Sequence, residues 1–104
     1  MPQLRFSRRA ANDLIEIASY TLRAWGEEQA IRYIDDIEEC CRGLAGRPEL
    51  GRACGEVRSG LRRIERGRHV VFYRQVTGGI QVSRILHQRM LPETRVTEDQ
   101  DAGQ

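Results

Sequence analysis

Apolar and polar positions along this chain follow two periods, helical in the first half and alternating in the second. Gln3–Phe6 alternates in steps of two and predicts a short first strand. Ser7 stands where a helix N-cap belongs, and Asp13 falls early in the helix that follows. Leu14, Ile17, Ala18, Thr21 and Trp25 then recur at helical spacing, and Ala11, Ile15 and Leu22 widen the same stripe. Trp25-Gly26 closes this helix, because glycine tolerates the left-handed conformation that ends one. Glu27 and Glu28 open a second helix, where negative charge is favoured, and Ala30, Ile34, Ile37, Cys41 and Leu44 form its apolar face. A single glycine between the two predicts an antiparallel helical hairpin.

Residues 46–51 contain Gly46, Pro48 and Gly51 and read as a turn that ends helical structure. Beyond it, 61–65 is a strand, Gly67 a break, and His69–Val76 the clearest strand in the chain. Thr77-Gly78-Gly79 is a tight hairpin turn, and 80–87 returns as the last strand. The order is β-α-α-β-β-β, an α+β fold with two helices covering one face of an antiparallel sheet. One domain is expected over 1–96, followed by a polar, acidic, frayed tail over 97–104.

Charge changes this picture more than length does. All seventeen basic residues are arginine and the net charge is +2. Arginine abundance alone says little, since codon bias also produces it, but its distribution is uneven. Residues 1–41 carry five arginines against eight acids, 42–89 eleven against three, and 90–104 one against four. The basic middle coincides with the expected sheet and suits nucleic acid or an acidic protein partner. No apolar run approaches the roughly 20 residues needed to cross a bilayer, so no membrane role is expected. The chain opens without a signal-peptide core, which predicts a cytoplasmic location. Cys40, Cys41 and Cys54 are an odd set without metal-ligand spacing, so reduced thiols, no metal and no cofactor are expected.

Candidate chemistry is sparse. His69 and His87 fall at strand ends, and Asp35-Asp36 and Glu38-Glu39 read as a solvated helix face. No Ser/His/Asp order, phosphate loop or dinucleotide fingerprint is present, which points to binding rather than catalysis. The sheet is expected to carry Arg62, Arg63, Arg68, Tyr73, Arg74, Arg84 and Arg89. Strict alternation places Arg74 beside Phe72 and Val76, and Arg84 beside Val82 and Leu86. Arginines held in this way suit bidentate recognition of carboxylate or phosphate; the alternative is that they are ordinary solvated edge residues.

The motifs together resemble the ParE family of the RelE/ParE toxin superfamily. The likeness begins with Phe6-Ser7, Ala11, Asp13-Leu14, Glu16-Ile17 and Tyr20, and continues through Trp25-Gly26-Glu27-Glu28-Gln29-Ala30 with Tyr33. It runs on through Pro48 with Leu50-Gly51-Arg52, Arg58-Ser59-Gly60-Leu61-Arg62, the stretch from Gly67 to Arg74, and Arg84-Ile85-Leu86-His87-Gln88-Arg89-Met90. The resemblance implies the toxin half of a type II toxin–antitoxin module that binds DNA gyrase and stabilises its cleaved-DNA complex. It implies a ParD-like antitoxin as partner, in a heterodimer or heterotetramer that meets operator DNA only through the antitoxin. Partner contacts are expected at Arg62, Arg68, Tyr73, Arg74, Arg84, His87, Arg89 and Met90, and an antitoxin groove at Leu14, Ile17, Trp25 and Ile34. The superfamily's ribonuclease branch uses early-strand lysines and a late aromatic residue; this chain has no lysine, and its last tyrosine is Tyr73. Gyrase is therefore preferred. The alternatives are a RelE-type mRNA endonuclease working through Arg62, Arg68 and Arg89, or a non-toxic remnant that binds an antitoxin.

Overall fold

Ser7 carries the chain out of its first strand and into its first helix. Its Oγ accepts the Ala10 N–H at 3.0 Å, capping the helix, and donates to the Ser83 carbonyl at 2.9 Å. Its own N–H reaches the Val82 carbonyl at 2.9 Å, so one residue ties the helix start to the last strand. The computed structural model of the chain describes residues 2–55 and 58–91. They form β1 (Gln3–Phe6), α1 (Arg8–Trp25), α2 (Glu27–Gly46), a 3-10 turn (Pro48–Leu50), β2 (Arg52–Ala53), β3 (Arg62–Arg66), β4 (His69–Val76), β5 (Gly79–His87) and a closing 3-10 turn (Gln88–Met90). The tail expected over 97–104 lies outside the described residues.

The two helices are separated by Gly26 alone, at φ 93°, whose N–H closes α1 on the Leu22 carbonyl at 3.0 Å. Both pack on one face of a five-stranded sheet ordered β1-β5-β4-β3-β2. The α+β class is the one expected, and β3, β4 and β5 form the antiparallel meander. The sheet is nevertheless mixed, because β1 pairs with β5 in parallel from Gln3↔Gly79 to Phe6↔Val82. Local periodicity says that a strand exists but not which way it lies against a strand most of the chain away. The edge strand β2, of two residues, is likewise too short to show a period of two.

A β-bulge breaks the alternation of β5. Phe72 faces Arg84 while Tyr73 faces Val82, leaving Ser83 as an extra residue. Ile80 and Val82 point to the helices before the bulge and Ile85 after it, whereas Leu86 turns to the opposite face. Val82 and Leu86 therefore lie on opposite faces, contrary to strict alternation. The main core packs Ile37, Cys41 and Leu44 of α2 with Ile17 of α1 against Val71, Tyr73, Ile80, Val82 and Ile85. Each such side chain contributes about 1.5–3 kcal/mol of hydrophobic stabilisation. A smaller cluster of Cys54, Leu61, Val70, Phe72 and Leu86, joined by Leu91, covers the far face. The three cysteines are free and buried, and burial pushes the Cys41 thiol up to about 12, leaving it protonated and unreactive.

Candidate functional site

Three of the residues expected at a partner surface instead tie the fold together. Arg84 donates from Nε to Asp13 Oδ2 at 2.8 Å and from a terminal nitrogen to Oδ1 at 3.2 Å, a bidentate pair between β5 and α1. The Ile85 N–H donates to the same Oδ2 at 2.9 Å. The buried Asp13 carboxylate thus neutralises the arginine and satisfies an amide beside the bulge. Tyr73 is fully buried, donating to the Pro48 carbonyl at 2.6 Å and accepting the Gly51 N–H at 2.8 Å. Arg62 donates to the Gly51 carbonyl from Nε at 3.0 Å and from a terminal nitrogen at 2.5 Å. Tyr73 and Arg62 together pin the 48–51 turn against the sheet.

At the other end of the sheet the polar groups gather without being consumed by the fold. His69 opens β4 and faces His87 at the end of β5, their ring centroids 5.1 Å apart in an edge-to-face arrangement. Tyr33 of α2 seats its ring over Gly67, where a Cβ would come within 2.7 Å of the ring and φ is +60°. The Arg68 N–H donates to Tyr33 Oη at 3.0 Å, and the same hydroxyl shares a hydrogen bond with His69 Nδ1 at 2.5 Å. His87 Nδ1 accepts the Arg89 N–H at 3.0 Å, which leaves Nε2 as that ring's N–H donor. Burial, reinforced by His87, lowers His69 to about 4 and keeps it neutral. Arg68, Arg89 and Met90 are exposed around this pair, and Arg74 is exposed near the opposite end of β4.

The expected antitoxin groove is divided by the structure. Ile17 is buried in the core, and Leu14 and Ile34 are half-buried against it. Trp25 is 65% exposed, as is Ile15, and Leu22 is 50% exposed. The buried face of α1 is instead Ala10, Asp13, Ile17 and Thr21, with the Thr21 hydroxyl bonded to the Ile17 carbonyl at 2.7 Å. Ala11, Ile15, Ala18, Leu22 and Trp25 form a second line at steps of four and three, the spacing of a helix-pairing seam. One broad apolar stripe in the sequence is thus a buried face and an outward seam. Sequence reasoning missed the interior role of Asp13 and the Tyr33–His69–His87 group. An acid on the apolar side of a helix was the available signal for the first, whereas nothing local marked the second.

A helical hairpin on a mixed sheet, with an outward apolar seam along α1, is the frame these residues build. A chain described as the chromosomal ParDE toxin–antitoxin system of P. aeruginosa shares it, with a TM-score of 0.71 and 28% identity, over 84% of this chain and 96% of that one. The sequence profile for "ParE toxin of type II toxin-antitoxin system, parDE" matches residues 4–92. Toxin ParE1 of Mycobacterium tuberculosis is 41% identical over 85 residues, covering 81% of this chain and 87% of that protein. Toxin ParE1 of Caulobacter vibrioides is 40% identical over 90 residues, covering 86% and 93%. The chain belongs to the ParE toxin family.

Proposed function

We propose that this chain, a ParE-family toxin, arrests growth by binding DNA gyrase and holding its cleaved-DNA complex. On this reading it acts by binding and not by catalysis, in the cytoplasm, and a ParD-like antitoxin restrains it. Family membership over residues 4–92 is the observation that carries the proposal. The Ala11–Trp25 seam supports an antitoxin helix as the restraint: Ile15, Leu22 and Trp25 are exposed anchors at the spacing an amphipathic helix reads. Arg8 lies close to the same line one turn earlier and would meet a carboxylate. Operator DNA is contacted through the antitoxin, which makes the pair a repressor of its own operon.

The test is a cleavage assay with purified gyrase and supercoiled plasmid. Free toxin should cause gyrase-dependent accumulation of cleaved DNA, and the product of the adjacent antitoxin gene should abolish it. Supercoiling and cleavage that stay unchanged at saturating toxin would sink the gyrase reading.

A further inference from the structure

The end of the sheet where β4 begins and β5 finishes brings together Arg68, His69, His87 and Arg89, and contributes no acid of its own. The Gln88 N–H donates to the Arg68 carbonyl at 2.8 Å, so the backbones carrying Arg68 and Arg89 are joined across one rung. Two nearby carboxylates are already engaged. Asp13, which acts electrostatically on His69, is held by Arg84 and the Ile85 N–H. Asp36, beside Tyr33, pairs with Arg66 at 3.8 Å, and Arg66 faces His69 across β3 and β4. Among the described residues no carboxylate lies within ion-pair distance of the Arg68 or Arg89 guanidinium. The site is also held in place. Tyr33, packed on Gly67, fixes the His69 ring, and the Arg89 N–H fixes the His87 ring.

We propose that this end of the sheet binds a phosphate oxyanion, with Arg68, Arg89 and the His87 Nε2–H as its contacts. Guanidinium and imidazole N–H groups suit such an ion because each donates a charge-assisted hydrogen bond and none competes as an acceptor. His69 stands behind His87 as a proton-linked partner. The two imidazoles lie 5.1 Å apart, and an anion bound beside them favours the charged form of a ring over the neutral one. Anion binding and proton uptake are therefore coupled, each favouring the other by the same factor. The oxyanion is either free phosphate or a phosphodiester in a polynucleotide backbone, and both offer the same oxygens. The site lies beyond the gyrase reading and does not rest on it, so either can fail alone.

The histidine imidazole resonances, followed by NMR through a pH titration, provide the test. The full chain is titrated with inorganic phosphate and, separately, with a short thymidine oligonucleotide. The expected result is an upward shift in the His87 titration midpoint with ligand. Affinity should fall about tenfold or more in the Arg68→Gln/Arg89→Gln double variant, whose exposed positions leave the amide spectrum otherwise unchanged. Arg74→Gln, near the other end of β4, should bind as the parent does. Tighter, steeply salt-dependent binding of the oligonucleotide identifies a polynucleotide backbone; equal binding per phosphate identifies the free ion. Imidazoles unmoved by either ligand overturn the proposal. An equal loss in Arg74→Gln and in the double variant also overturns it, by reducing the site to diffuse positive charge.

Discussion

At the centre of the sheet Arg84 is locked to Asp13 at 2.8 Å, while at its end Arg68 and Arg89 stand in solvent around His69 and His87. The two regions use the same residue type for opposite purposes. A largely buried guanidinium must be paired, since removing one partner from such a pair costs several kcal/mol. Arg84 is therefore part of the architecture, as is Arg62 on the turn carbonyls. The arginines at the sheet end are exposed and carry no such obligation, because water solvates their donors. A basic segment is thus not one binding surface; burial divides it into ties and contacts.

The largest effect should come from breaking the tie itself. Asp13→Ala leaves Arg84 without its counter-ion and the Ile85 N–H without an acceptor, and should cost about 3 kcal/mol in urea unfolding. A loss below about 1 kcal/mol would mean that the central pair is no more structural than the arginines at the sheet end. On the outward seam, Trp25→Ala should weaken antitoxin binding by about 2 kcal/mol in calorimetry, as an exposed aromatic anchor would. It should leave the melting temperature nearly unchanged. Tyr73→Phe deletes the bonds to Pro48 and Gly51 and should cost about 1–2 kcal/mol of stability without touching the antitoxin surface.

The histidine pair gives a subtler contrast. His69 titrates near 4 in the folded chain, against an ordinary value of 6.5. The fold therefore favours the neutral ring, and this contribution is complete above pH 6.5. It is lost as pH falls from there through about 4, because unfolded chains take up a proton first. Melting temperatures measured across that window should fall less steeply in His69→Gln than in the parent chain. The smallest effects belong to Arg68→Gln and Arg89→Gln, each expected within about 0.5 kcal/mol of the parent in stability.

Much of the architecture was legible because it is written locally. The Ser7 cap, the Gly26 break between helices, the two acids that open α2 and the alternation of His69–Val76 each depend on neighbours a few residues away. They fold as the pattern predicts, and the α+β class follows from their order. The surfaces were less legible. The apolar stripe of α1 contains both a buried face and an outward seam, and its spacing alone does not separate Ile17 from Ile15. Arg62, Tyr73 and Arg84 carry the right chemistry for recognition, but the fold uses them on Gly51, Pro48 and Asp13.

By itself, then, the sequence determined which segments become helix or strand, where they stop, and that positive charge collects in the sheet. Only the tertiary structure decided that β1 runs parallel to β5, that Ser83 bulges and reverses the faces beyond it, and that Asp13 claims Arg84. It also drew Tyr33, His69 and His87 from three elements into one hydrogen-bonded, edge-to-face group. The physical reason is range. Caps and periodicities are set by interactions along a few residues of chain, whereas strand direction, bulge phase and the pairing of a buried charge are settled only when distant segments meet and each buried polar group must find a partner.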